Sequence, residues 1–160
     1  MQVWRICLKR FAEAAFLGEG ARLYSGRWNP AGVPMVYTST SLSLAAMEFF
    51  VHIEIGIEPA NLVSVSAELP VDESELRQRG EELTANLPED WRRLDHAALR
   101  QMGHDWVASG SSLAMMVPSV VIEGEWSLLI NPNHPDVSRI KRAEPKPFHF
   151  DARMFRTRQQ

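Results

Sequence analysis

The run Leu42-Ser43-Leu44-Ala45-Ala46-Met47-Glu48-Phe49-Phe50-Val51 carries a single charge, Glu48. Thr40 or Ser41 can cap a helix there, because a hydroxyl accepts from backbone donors that the first turn leaves orphaned. The helix is expected to continue to about Ile55. Its sides are apolar nearly all the way round, so it has to be buried rather than amphipathic. That requirement extends to Glu48. A carboxylate taken out of water without a partner costs several kcal/mol, so an acid at this position needs a purpose.

The remaining segments read mostly as strands. Val3 to Leu8 is an opening strand, Phe11 to Gly20 a short helix punctuated by Gly18, Gly20 and Gly26, and Met35 to Ser39 a second short strand. Asn61 to Leu69 alternates: Val63, Val65, Ala67 and Leu69 share one face and Ser64, Ser66 and Glu68 the other, which predicts a half-exposed strand. Val71 to Glu89 is charged and reads as a surface excursion with some helix, and Leu94 to Ala108 has helical spacing. Ala114 to Ile122 is a strand interrupted at Pro118-Ser119. Ser127 to Ile130 is another, ending in the turn Asn131-Pro132-Asn133-His134-Pro135, and Ile140, Phe148 and Phe150 suggest a last edge strand. The class is α+β.

A chain of 160 residues forms one domain and buries about two-thirds of its unfolded surface. With 17 basic against 20 acidic residues the net charge is −3, so the basic excess of a protein that wraps nucleic acid is missing. The lone cysteine, Cys7, sits among apolar neighbours and reads as a buried structural thiol, which fits a reducing compartment. No apolar run approaches the roughly 20 residues that span a bilayer, and no leader pattern is evident at the N-terminus, so a cytoplasmic location is expected.

Chemistry concentrates in a few places. Arg27 lies between turn-forming residues in Gly26-Arg27-Trp28-Asn29-Pro30. It reads either as a surface arginine stacked on Trp28 or as a fork of donors for a phosphate. Tyr37 is either a core aromatic or a face on which a ligand ring stacks, and Glu48 either a core acid paired with Arg or His or a carboxylate at the floor of a pocket. The break at Pro118-Ser119 looks built to aim a hydroxyl. The five histidines show no metal-ligand spacing, His52 after Glu48 reads as a structural pair, and no Gly-x-Ser-x-Gly elbow marks a hydrolase nucleophile.

Taken together, Trp4-Arg5, Gly26-Arg27-Trp28-Asn29, Val36-Tyr37-Thr38-Ser39, Ala45-Ala46-Met47-Glu48 with His52, Val117-Pro118-Ser119-Val120, Glu125-Trp126, Leu129-Ile130-Asn131-Pro132 and Phe150-Asp151-x-Arg153 resemble the RES-domain family. The likeness spans residues 3 to 155, with no family signature between Val71 and Arg93. It implies one domain over residues 1–155 with a disordered tail at 156–160. The implied fold is a central, mostly antiparallel, split β-sheet flanked by helices, like that of diphtheria-toxin-like ADP-ribosyltransferases.

The resemblance implies the toxin of a bacterial toxin–antitoxin pair that cleaves NAD at the nicotinamide–ribose bond, with NAD as substrate and no permanently bound cofactor or metal. Arg27, Glu48 and Ser119 would be catalytic, and Arg5, Tyr37, Trp28 and Asn131 would bind substrate. The implied partner is an antitoxin with a helix-turn-helix, Xre-like DNA-binding domain; a homodimer is left open, and no membrane or direct nucleic-acid contact is implied. A protein mono-ADP-ribosyltransferase is the alternative activity. An RNA-cleaving toxin and an inactive interaction module rank lower, the first because of the acidic net charge, the second because Arg27, Tyr37, Glu48 and Ser119 are all present.

Overall fold

The computed structural model describes residues 1–54 and 56–155; the helix end expected at Ile55 and the tail expected at 156–160 lie outside the described residues. Along the chain run β1 (Gln2–Leu8), α1 (Glu19–Leu23), β2 (Val36–Ser39), α2 (Leu42–Phe50), β3 (Leu62–Glu68), α3 (Glu73–Ala85), α4 (Ala97–Ser109), β4 (Ala114–Pro118), β5 (Trp126–Ile130), β6 (Lys141–Arg142) and β7 (Lys146–Phe148). Short 3-10 turns occupy Lys9–Phe11, Pro135–Arg139 and Ala152–Phe155.

The strands form one sheet in the order β4-β5-β2-β1-β3-β6, with β7 also on β3, and every pairing is antiparallel. The α+β class expected from the sequence holds, and so does the mostly antiparallel sheet that the resemblance implies. β1 runs beside β3 from Gln2↔Glu68 to Leu8↔Leu62, and β2 beside β5 from Val36↔Ile130 to Ser39↔Ser127. Between β1 and β2 only Trp4↔Ser39 is in register. β2 is short and turns at Ser39 into the cap of α2, so the sheet parts along most of the β1–β2 seam.

Helix α2 lies over that seam. Ser41 caps it, its hydroxyl accepting from the Leu44 N–H at 3.1 Å. Leu44 and Ala45 are buried toward the sheet, Ala45 against Ile6 and Leu62. The outer side is covered by the returning C-terminal segment, where the Phe150 ring stands 5.6 Å from Phe50 and 5.0 Å from Phe148. The cover is partial: Ser43 is exposed and the residues from Ala46 to Phe50 are half-buried, so the all-round burial expected of this helix is only partly realised.

Two other expectations need correction. β3 is buried on both faces, Ser64 and Ser66 included, because the C-terminal segment and α2 cover the side expected to meet water; the Ser64 hydroxyl donates to the Lys146 carbonyl. The helix expected over Phe11 to Gly20 is replaced by tight turns, with Ala15 N–H bonded to Ala12 O and Leu17 N–H to Ala14 O. These turns press Ala15 and Phe16 into the core beside Val3 and Cys7, and α1 starts only after Gly18, which has a left-handed φ of 72°.

Candidate active site

The loop that carries Arg27 is built from the inside out. Asn29 is fully buried, and its Nδ2 donates to the carbonyls of Ala21 (2.8 Å), Tyr24 (3.2 Å) and Pro30 (3.0 Å). The Tyr37 hydroxyl donates to Asn29 Oδ1 at 2.7 Å and accepts from the Trp28 N–H at 3.0 Å. Trp28 is 2 % exposed and packs with Met35, Leu99, Val117 and Leu129, so Arg27 cannot stack on it as one reading of the sequence held. The guanidinium extends the other way, and Nη1 donates to the carbonyls of Trp91 and Arg93, both at 3.0 Å. Burial lowers the Arg27 pKa, and the nearby Glu48 charge opposes that shift.

Burial also pushes the Tyr37 phenol up from its ordinary 10.0 to about 12. A raised pKa favours the protonated, folded form. Its contribution to stability is therefore complete below about pH 10 and is lost as the pH rises through about 12. Melting temperatures measured between these values should fall further for the wild type than for Tyr37→Phe. Parallel curves would mean that the phenol is free to ionise in the fold.

Glu48 points from α2 into the gap between the two halves of the sheet. Its Oε1 accepts from the Ser119 hydroxyl at 2.7 Å and from the Ser127 hydroxyl at 3.3 Å. Ser119 is 2 % exposed and stands just past the end of β4, where its Oγ also accepts from the N–H groups of Val121 and Ile122, both at 3.1 Å. With those acceptor positions filled, its proton goes to Glu48. No hydrogen bond occupies the second carboxylate oxygen among the described residues. Of the two readings open for Glu48, a core pair with Arg or His and a carboxylate at a pocket floor, the second fits: two serines anchor it through one oxygen where it lines two cavities.

Two cavities meet at this carboxylate. One, of about 780 Å³, opens between the Ser25–Trp28 turn, the loop before α4 and the end of β4, and Arg27, Arg92 and Arg100 line it. The other, of about 210 Å³, lies at the β1–β2 seam against Trp4, Ile6, Thr38, Ala45 and Phe49. Tyr37, Glu48, His52 and Ser127 line both. Three arginines gather on the wider space, while the narrower one mixes Arg5, Thr38 and Ser39 with the apolar walls of Trp4, Ile6, Ala45 and Phe49.

The fold therefore brings Arg27, Tyr37, Glu48 and, behind Glu48, Ser119 into one cleft. Arg5 borders the smaller cavity, but its Nη1 donates to the Ala15 carbonyl at 3.1 Å, and burial lowers its pKa. Trp28 is packed in the core and also lines the wider cavity. Asn131 lies outside both cavities: its Nδ2 donates to the Val107 carbonyl at 3.2 Å and its Oδ1 accepts from the Asn133 N–H at 3.0 Å, which fixes the turn after β5. Nothing in the local pattern singles out Ser127 or Arg92, and His52, which reads from its spacing as a structural partner of Glu48, lines both cavities. Ser127 looks like any polar residue of an alternating strand, and only its register opposite Ser39 brings it beside the acid.

These features define a class: an α+β protein whose antiparallel sheet parts around a serine-anchored carboxylate facing an arginine-lined cleft. Residues 2–151 match the RES domain family. The chain belongs to the RES-domain toxin family. It is 38 % identical over 157 residues to the Prs ADP-ribosylating toxin of Sphingobium sp. (strain YBL2), covering 96 % of each chain. It is also 33 % identical over 160 residues to a Toxin Res of Yersinia enterocolitica, covering 96 % of this chain and 99 % of that one. Among solved structures it resembles one of the Mycobacterium tuberculosis MbcT–MbcA toxin–antitoxin complex at a TM-score of 0.65. The identity there is 14 %, over 96 % of this chain and 86 % of that one, and shows the fold alone. Among the described residues no helix is long and apolar enough to cross a membrane.

Proposed function

We propose that this protein is the toxin of a toxin–antitoxin pair and cleaves NAD at the nicotinamide–ribose bond. The observation that carries the reading is the Glu48 carboxylate, held through Oε1 by two serine hydroxyls with its other oxygen left for a ligand, at the meeting point of a wide arginine-lined cavity and a narrower one walled by Trp4 and Phe49. The ADP-ribose part suits the wider space, where Arg27 can meet a phosphate, and the nicotinamide suits the narrower one.

When the C1′–N bond breaks, its electron pair leaves with nicotinamide, which departs neutral and needs no general acid. The sugar is left with oxocarbenium character, as in glycoside hydrolysis. A fixed carboxylate near the ribose accepts from a sugar hydroxyl and stabilises that charge, with little reorganisation because the serines already hold it. An acceptor oxygen then bonds to C1′ and, if it is water, releases a proton.

The decisive assay follows nicotinamide release from NAD by protein freed of any partner, with and without inorganic phosphate. ADP-ribose as product names water as acceptor, and its phosphate ester names phosphate. A second reading, transfer to a protein, has support in the name of the Sphingobium relative. Radiolabel from NAD appearing on a macromolecule would establish it. Absence of release and of label would defeat both readings. The names of the relatives and the MbcT–MbcA structure support an antitoxin partner, which we place in the helix-turn-helix class.

The two serines should differ in effect. Ser119→Ala removes the shorter bond, to a charged acceptor, and should lower kcat by about tenfold or more; Ser127→Ala should cost about threefold. Both should leave KM for NAD nearly unchanged, since neither hydroxyl has a partner in the cationic wall. A rise in KM at constant kcat would mean that they bind substrate instead of positioning the acid.

A further inference from the structure

The wider cavity contains a second arginine that the chemistry above leaves unused. Arg92 lies on the loop between α3 and α4, one residue after Trp91, whose carbonyl holds Arg27. Its guanidinium carbon stands 4.7 Å from the centre of the Trp91 ring, which fixes the direction of the fork. Arg92 and Arg27 are near enough for their charges to repel. An anion seated between them would relieve that repulsion and meet two planar forks, the geometry that phosphate oxygens accept best.

The other cations of the region are committed. Arg100 donates to the Gly26 carbonyl at 3.0 Å and pairs with Asp95, and Arg5 bonds to the Ala15 carbonyl. Among the described residues, the one hydrogen-bond partner of Arg92 is Glu123, at 3.3 Å, whose side chain is 88 % exposed. An ion pair so open to water contributes little, so a ligand phosphate can displace Glu123 at small cost.

We propose that Arg92 and Arg27 form a two-armed site for the diphosphate of the substrate, with Arg92 the arm that selects a diphosphate over a single phosphate. The inference rests on the NAD-cleaving reading and adds the residue by which the cleft recognises the dinucleotide. It also supplies a role for the loop in which the sequence shows no family signature.

The test combines calorimetric binding of ADP-ribose to partner-free protein with inhibition of NAD cleavage by nicotinamide. Arg92→Ala should weaken ADP-ribose about tenfold and leave nicotinamide inhibition unchanged. Arg92→Lys should recover part of the loss, because an ammonium keeps the charge without the fork. Glu123→Gln should bind ADP-ribose at least as tightly as the wild type. The inference falls if Arg92→Ala binds ADP-ribose normally, or if nicotinamide inhibition weakens in parallel. It falls too if Glu123→Gln loses as much as Arg92→Ala, since the pair would then be a structural tie between two loops. A wild type that neither releases nicotinamide nor binds ADP-ribose overturns the NAD reading and this site together.

Discussion

Glu48→Gln is expected to lower nicotinamide release by about a thousandfold, roughly 4 kcal/mol of transition-state stabilisation, with KM for NAD little changed. The substitution keeps the shape of the side chain and an oxygen for Ser119 and Ser127 to bond, but it removes the charge that answers the developing cation on the ribose. Stability should fall by only about 1 kcal/mol, because bonds to a charged acceptor become bonds to a neutral one. The measurement is single-turnover nicotinamide release beside a thermal melt of the same preparation. A folded variant with full turnover would remove Glu48 from the chemistry. A variant that loses its melt would move the residue from catalysis to the core.

Gly103→Ala should give the largest stability loss of any conservative change near the site. Gly103 lies on α4 where the helix meets the Arg27 turn, and a methyl group there would overlap the Trp28 carbonyl oxygen and stand 3.1 Å from Met35 Cε. The helix or the turn must then move in a fully packed layer, at a cost of about 3 kcal/mol. For a domain of this size that lowers Tm by about 6–12 °C. Catalysis should drop as well, since the displaced turn carries Arg27 and is bonded to Tyr37. Gly20→Ala is the control: nothing lies within 4 Å of its added methyl, and alanine in α1 should be neutral or stabilising by up to about 1 kcal/mol. Equal melts for the two variants would show that α4 slides freely over the turn.

Much of the site was legible in the sequence because its residues break local rules. Glu48 is a charge in an apolar helix, Ser119 follows a proline that ends a strand, and Arg27 sits among turn formers; each violation needs an explanation outside its own segment. Trp28 packs in the core and also lines the wider cavity, whereas Asn131, which only the family resemblance pointed to, closes a turn outside both cavities. Arg92 and Ser127 obey their local patterns, as a charge on a surface loop and a polar residue on a strand, and so gave no signal.

Local patterns in the chain were enough for the α+β class, the order and rough bounds of most strands, a cap for α2 at Thr40 or Ser41 and the need to satisfy Glu48, because propensity, periodicity and the cost of a buried charge act over a few neighbouring residues. Packing of distant segments chose Ser41 as that cap, made β1 and β2 touch at one register pair, set Ser119 and Ser127 on Glu48 from 71 and 79 residues away, and gave Arg27 two backbone carbonyls beside Arg92. Those are long-range pairings. Their free energy comes from how separate elements pack, and no local pattern encodes which distant partner a side chain will meet.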